Sequence, residues 1–246
     1  MKNSSTGGVL VHALAEASKC IMVKNMKKQR QSFEAGASRI CDCFGEYVTN
    51  PAPNDPLFLV MELCGTDLHK LLFRGSKADK MKRLRTVFNN AKYIVTQIVE
   101  GLLFLQTLTP PIIHRDLKLE NVNMVVDGPP PNGGRRTDAL ESSIQSQIID
   151  ALSDRSLRTA VVKIIDFGLS IEAIEENRQR GGAGTRGYIP PEALDERNSF
   201  SEPWHSFDIY STGMIYLELL CPYIGFEWIE DGNAMAYMKE DTDAFI

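Results

Sequence analysis

A carboxylate, an ammonium and a carboxamide fall within six residues of one stretch, His114-Arg115-Asp116-Leu117-Lys118-Leu119-Glu120-Asn121, which follows the apolar run Pro111-Ile112-Ile113. At that spacing Asp116 can accept a proton from a hydroxyl, Lys118 can neutralise a phosphoryl group in transfer, and the Asn121 side-chain oxygen can hold Mg²⁺. A second metal ligand is expected at the end of a strand. Val161-Val162-Lys163-Ile164-Ile165 is brief and β-branched, the pattern of a buried strand, and it runs into Asp166-Phe167-Gly168.

Asp-Phe-Gly alone is a weak signal. Here it follows the 114–121 stretch and precedes Gly184-Thr185-Arg186-Gly187-Tyr188-Ile189-Pro190-Pro191-Glu192 and then Asp208-Ile209-Tyr210-Ser211-Thr212-Gly213. Four motifs in this order resemble the large lobe of a eukaryotic-type protein kinase. The resemblance implies an α+β, bilobal fold, with a small β-rich N-lobe over 1–61 and a larger, mainly α C-lobe over 62–246. It also implies ATP and Mg²⁺ as cofactors, with Asn121 and Asp166 as metal ligands and Asp116 and Lys118 as catalytic groups. Lys118 together with Thr185 marks the serine/threonine branch, where the hydroxyl can bridge Asp116 and Lys118. By the same resemblance His114 packs under Phe167 and Arg115 steadies the activation segment.

The elements that must position these groups are unevenly represented. Asn90 to Gln106 carries Ile94, Ile98, Leu102 and Leu105 at spacings of four, four and three, the apolar face of a buried amphipathic helix. Leu57 to Cys64 is an apolar strand, and Pro51, Pro53 and Pro56 mark the loop before it. By resemblance that strand enters the hinge, where Met61 stands behind the adenine and the backbones of Glu62 and Cys64 bond its edge. Asp67 falls where a carboxylate can hold the ribose hydroxyls; as a residue type it is equally a helix N-cap for Leu68 to Leu72, and the two roles are compatible.

The N-lobe departs from the family. Ile21-Met22-Val23-Lys24 resembles its third strand, with Lys24 reaching the phosphates, and Gly7, Gly8 and Val9 match only the tail of its phosphate-covering loop. Lys2 and Ser4 stand where the first two glycines would be, and the first strand is missing from the pattern. Glu34 is the one acidic residue between Lys24 and Asp42, hence the candidate partner of Lys24 on a shortened helix C. Arg39 to Gly45 reads as the fourth strand, which leaves room for roughly two helical turns. Met22 and Asn123 occupy the positions that in the family hold alanine and leucine above and below the adenine.

Between Asn121 and Asp166 lie 44 residues, against roughly a dozen in most of the family. The excess, about 127–158, begins with a Gly/Pro-rich breaker and continues with Leu140, Ile144, Ile148 and Leu152 every four residues, an amphipathic helix. That helix either docks a partner or lies against its own lobe; the second is preferred because an exposed apolar stripe invites aggregation. From Ile171 to Gly184 there is no hydroxyl, so independence from activation-loop phosphorylation is expected. Glu172, Glu175 and Glu176 are the acidic residues there that can pair with Arg115. Glu192, which by resemblance pairs with an arginine beyond Ile246, needs solvent or a substitute among Arg178, Arg180 and Arg197. The last helices of the lobe are expected to be missing, and the fragment itself can be inactive on that account.

Global properties agree with an ordinary soluble globular protein. The 246 residues are 43% hydrophobic and 24% charged, with a net charge of −5 that argues against nucleic acid or an anionic membrane as a partner. No run approaches the ~18 apolar residues of a membrane span, and the first residues do not form a signal-peptide core. Cytoplasmic residence is the default, with the nucleus as the alternative. Five cysteines with no repeated spacing suit free thiols, and Cys41-x-Cys43 without a second pair is a poor metal site.

The leading reading is transfer of the ATP γ-phosphate to serine or threonine hydroxyls of a protein substrate, with Asp67 and Glu120 favouring basic residues before the acceptor. The alternative is a pseudokinase or scaffold, motivated by Met22 and Asn123, since burying an apolar ring on Asn123 forfeits part of the ~1.5–3 kcal/mol a leucine would supply. Small-molecule phosphotransferases of the aminoglycoside-kinase type share the aspartate-to-asparagine loop, but neither the Gly184 to Glu192 stretch nor the Asp208 helix.

Overall fold

The computed structural model describes residues 24–25, 34–48, 57–74, 77–126, 138–154, 159–174, 177, 183–194, 206–221, 224–228 and 234–238. In chain order the elements are α1 (Glu34–Ser38), β1 (Cys43–Val48), β2 (Leu57–Met61), β3 (Thr66–Asp67), α2 (Leu68–Phe73), α3 (Lys77–Thr107), β4 (Ile112–Ile113), a 3₁₀ turn (Leu119–Asn121) and β5 (Val122–Val126). Then come α4 (Asp138–Ser153), β6 (Ala160–Ile164), β7 (Ile171–Glu172), α5 (Pro191–Leu194), α6 (Ser206–Leu220), β8 (Ile224–Trp228) and β9 (Ala234–Met238).

The long helix α3 is the axis of the core. Ile94, Ile98, Leu102 and Leu105 are all buried, as the four-residue spacing predicts, and Leu84, Val87 and Ala91 extend the same face toward the N-terminus. The helix therefore begins at Lys77 rather than Asn90. Asp79 to Arg85 carry strong helix formers and no breaker, so propensity carries the helix back past the first periodic residues.

Against α3 lies the antiparallel sheet β3-β5-β6, in register Val122↔Ile164 through Val126↔Ala160. Three polar contacts fasten β6 to the helix. Tyr93 and Gln97 donate to the Ala160 carbonyl at 3.0 and 3.4 Å, and the Gln97 side-chain oxygen accepts from Val162 N at 3.1 Å. Gln97 is buried, so a polar residue on the apolar face sets the position of the strand that delivers Asp166.

The helix expected in the long insertion is α4. Ile148, Ile149 and Leu152 are buried and Ile144 packs on the same core, so the stripe is covered by this chain itself. The Thr66 hydroxyl donates to Glu141 on α4, tying the insertion to β3.

Two expectations are corrected in the segments before β2. Lys24 and Asn25 are helical, not the end of a strand. Among the described residues β1 pairs with β2 alone, so no ladder is offered to Lys24, and its ammonium donates to the Phe44 carbonyl in β1. The strand expected from Arg39 starts instead at Cys43. The Arg39 carbonyl accepts from Ile164 N at 2.7 Å and Cys41 N donates to the Ile164 carbonyl at 3.0 Å, so the end of β6 occupies the backbone groups that a longer β1 would use. Helix α1 is short, as expected: it spans five residues, less than two turns. Gly7, Gly8, Val9 and Met22 lie outside the described residues, as do Glu175, Glu176, Arg178, Arg180 and Arg197.

Candidate active site

Helix α6 supports the 114–121 stretch from below. Asp208, in its first turn and buried, accepts from the backbone N–H of His114 at 2.8 Å and of Arg115 at 2.9 Å. Burial pushes its carboxyl above the usual range, opposed by the charges and N–H groups of His114 and Arg115. Two bonds from one carboxylate fix a bend in which Arg115 has φ of +64°, a conformation costly for a non-glycine residue. Sequence reasoning gave Asp208 no part in the site; its signal is a carboxylate heading an otherwise apolar helix.

The bend presents Asp116 to three partners. Its Oδ1 accepts from the Thr185 hydroxyl at 2.6 Å, and its Oδ2 lies 3.2 Å from the Lys118 ammonium and accepts from Asn121 Nδ2 at 3.0 Å. Lys118 also donates to Thr185 Oγ at 2.8 Å, closing the bridge expected between Asp116, Lys118 and Thr185. Asn121 Nδ2 further donates to the Asp116 carbonyl at 2.7 Å. With its amide nitrogen turned to Asp116, Asn121 keeps its side-chain oxygen for another ligand.

Asp166 is held next to Asn121 through the backbone, since Ile165 N donates to the Asn121 carbonyl at 3.0 Å. Asp166 has φ of +63°, and its Oδ1 accepts from Gly168 N at 3.1 Å. The ring of His114 stands 5.0 Å from Phe167, and its Nε2 bonds the Ile165 carbonyl at 2.9 Å. Arg115 Nε donates to the Leu169 carbonyl at 2.8 Å. Both are structural props. Gly184 completes the arrangement: at φ of +134°, a Cβ there would come within 2.6 Å of the Arg115 carbonyl.

The segment expected to form the hinge is built differently. Gly65 passes so close to β5 that a Cβ would lie 1.9 Å from the Met124 carbonyl. Met61 is partly buried against the main core. Glu62 N donates to the Asp42 carbonyl at 2.8 Å, and the Glu62 side chain is ion-paired to Lys163 at 2.9 Å, a half-buried pair with no sequence signature. Asn123 Nδ2 donates to the Cys64 carbonyl at 2.7 Å, so that carbonyl is engaged from within. Asn123 Oδ1 is buried with no hydrogen-bond partner among the described residues. Asp67 caps α2: its Oδ1 accepts from Lys70 N at 2.7 Å and its Oδ2 pairs with the Lys70 ammonium at 2.6 Å.

Glu34 opens α1, and Gly36 in the same turn approaches the Glu100 carbonyl of α3. Glu192 and Glu120 are exposed, so Glu192 meets solvent and carries no burial cost.

A carboxylate, an ammonium and a carboxamide thus stand on one loop, bonded to the Thr185 hydroxyl of a later segment, with the Asp166 carboxylate beyond the strand end beside them. The family model described as the protein kinase domain matches residues 15–244, and the chain belongs to that family. Among its curated relatives, calcium/calmodulin-dependent protein kinase type II of Caenorhabditis elegans is 31% identical over 146 residues, 59% of this chain and 15% of that protein. Serine/threonine-protein kinase plk-2 of the same organism is 30% identical over 174 residues, 70% of this chain and 20% of that protein. Serine/threonine-protein kinase WNK2 of Mus musculus is 31% identical over 163 residues, 66% of this chain and 6% of that protein. The chain therefore spans a fifth or less of the length of these relatives.

Proposed function

We propose that this chain carries a protein serine/threonine kinase site that uses ATP with Mg²⁺. The observation that carries the reading is the closed network of Asp116, Lys118, Thr185 and Asn121, with Asp166 one residue beyond the Ile165–Asn121 bond. Phosphoryl transfer needs positioning and electrostatics more than covalent chemistry, and these are the groups the network fixes.

The residues fit the cofactors. A carboxamide and a carboxylate oxygen are the hard donors Mg²⁺ prefers, and Asn121 and Asp166 would hold it. When bound, the metal neutralises charge on the phosphates. The orphan Oδ1 of Asn123 suits a ligand that brings an N–H donor into the hinge, and the adenine amino group is one. That offsets the apolar contact a leucine would give and weakens the case for a scaffold without turnover.

The chain's own groups act as follows. Asp116 Oδ1 receives the proton of the acceptor serine or threonine hydroxyl, displacing the Thr185 hydroxyl that occupies it. Lys118, held by Thr185 and Asp116, offsets charge on the transferred group. Lys24 offsets charge on the remaining phosphates, after exchanging the Phe44 carbonyl for them, and Glu34 is its partner in that state. The backbones of Glu62 and Cys64 and the side chains of Met61 and Asp67 line the nucleoside, with Gly7, Gly8 and Val9 over the phosphates. In this reading a small upper lobe and a larger lower lobe are joined at 61–62, with 127–158 inserted in the lower one.

No activating phosphate is required. Ser170 donates to the Phe167 carbonyl at 2.8 Å and Thr185 to Asp116, so both hydroxyls are already engaged. The substrate is a protein with a serine or threonine acceptor, and the site of action is the cytoplasm.

The test is phosphate transfer from labelled ATP to a generic serine/threonine protein such as myelin basic protein, by the chain purified without activating kinases. Mg²⁺-dependent incorporation into serine or threonine, abolished by Asp166→Asn in a folded protein, is expected. Transfer only to small aminoglycosides, or none from a folded chain that binds no nucleotide, would refute the proposal.

A further inference from the structure

Behind the hinge, two cysteines that are 23 positions apart in sequence meet. The Cys64 thiol donates to Cys41 Sγ at 3.0 Å, and both residues are buried. Cys41 precedes β1 and is held to the end of β6 by its backbone N–H; Cys64 lies just beyond β2. The pair thus closes the segment holding β1 and β2. Cys41 also donates weakly to the Glu62 carbonyl at 3.7 Å.

We propose that Cys41 and Cys64 form a reversible oxidative modification site, a dithiol that a small peroxide converts into a disulfide clamping the hinge to the segment before β1. The geometry is favourable because the sulfurs already touch and need only a small approach to bond. The hydrogen bond from Cys64 stabilises a thiolate on Cys41 and draws its pKa down, and the Lys163 charge works in the same direction, while burial and Glu62 oppose them. Sharing that bond, Cys64 is pushed up, so Cys41 is the attacking sulfur.

The chemistry balances with hydrogen peroxide as the oxidant. The Cys41 thiolate attacks one peroxide oxygen, the O–O bond breaks, and hydroxide leaves, giving a sulfenic acid on Cys41. Cys64 then attacks the Cys41 sulfur as its thiol proton goes to the departing oxygen; the S–O bond breaks, S–S forms, and water leaves. Two electrons pass from the thiols to the peroxide, which becomes two waters once the first hydroxide is protonated. A compact oxidant suits the site, because the buried sulfurs exclude a bulky disulfide reagent.

A metal is the competing occupant. Donor atoms of Cys41, Glu62 and Cys64 lie within 4.8 Å of one another. Glu62 is already committed, however, with Lys163 Nζ 2.9 Å from each carboxylate oxygen and Asp42 N donating to Oε2 at 3.0 Å. The Lys163 ammonium also opposes a dication, so oxidation is the chemistry the site favours.

The inference does not depend on kinase activity, and its test needs none. The full chain is treated with graded hydrogen peroxide, alkylated, and read by intact mass and peptide mapping. A loss of two hydrogens, a Cys41–Cys64 linked peptide, and recovery of both thiols with dithiothreitol are expected. Cys64→Ser should leave a dimedone-reactive sulfenic acid on Cys41 and no linked peptide. Should that variant fail to fold, the mapping of the unmodified chain decides alone. Both thiols alkylating fully after peroxide, cross-linking through Cys43 or Cys221 instead, or stoichiometric zinc that shields the pair would each overturn the proposal.

Discussion

The 114–121 loop and the region around Lys24 are both charged, yet they are held in opposite ways. Asp116 is fixed by Thr185, Lys118 and Asn121, and the loop beneath it by two bonds from buried Asp208. Among the described residues Lys24 donates only to a backbone carbonyl of a two-stranded ladder. The 114–121 loop is organised before any ligand arrives, whereas under the proposed function Lys24 would have to leave the Phe44 carbonyl to meet phosphate. Preorganisation is where electrostatic catalysis gains most, so the two regions should respond differently to mutation.

The largest effect is expected at Asp116. Asp116→Asn keeps the shape but loses the proton acceptor, and kcat should fall by about 10²–10⁴-fold with the melting temperature nearly unchanged. Phosphate-transfer kinetics with a calorimetric scan would show this. Lys24→Met should act more weakly, by about tenfold and mainly through KM for ATP, because a group that first leaves the Phe44 carbonyl gives up part of its gain. If Lys24→Met cost as much as Asp116→Asn in kcat, the contrast between the regions would be wrong.

Two substitutions probe the supports. Asp208→Asn leaves a single carbonyl oxygen for the two N–H groups of His114 and Arg115, and should destabilise by about 1–3 kcal/mol in urea unfolding. Gly184→Ala should cost about 1–3 kcal/mol through backbone strain and a clash with the Arg115 carbonyl. Both should also lower kcat through Asp116, which a purely scaffolding role for Asp208 and Gly184 would not do.

The smallest effect concerns Tyr188, whose hydroxyl donates to Glu218 at 2.6 Å. Burial first, and then Glu218, push its pKa well above the ordinary range. In the unfolded chain it titrates near ~10, so its contribution is fully present below that pH and is lost as pH rises from there through the folded value. Tyr188→Phe should cost about 1 kcal/mol at neutral pH and flatten the alkaline decline in stability.

Much of the lower region is legible in the sequence because its chemistry is local. Asp116, Lys118 and Asn121 lie within six residues, and the periodicity of α3 and α4 names their buried faces correctly. Contacts across long separations left no pattern to read. Asp208 to His114, Lys163 to Glu62 and Cys64 to Cys41 each depend on how β5, β6 and α6 stack, and nothing in their spacing announces it. The Arg39 strand failed for a related reason: its backbone groups go to the end of β6, a partner more than a hundred residues away. Asp67 shows two compatible meanings of one side chain, of which the cap on α2 is in place.

The most direct measurement is isothermal titration of ATP into the folded chain with and without Mg²⁺, using Asp166→Asn for comparison. Convergence of Asn121 and Asp166 on the nucleotide phosphates predicts Mg²⁺-dependent binding that weakens by at least about tenfold in the variant. Affinity indifferent to both the metal and the substitution would contradict it.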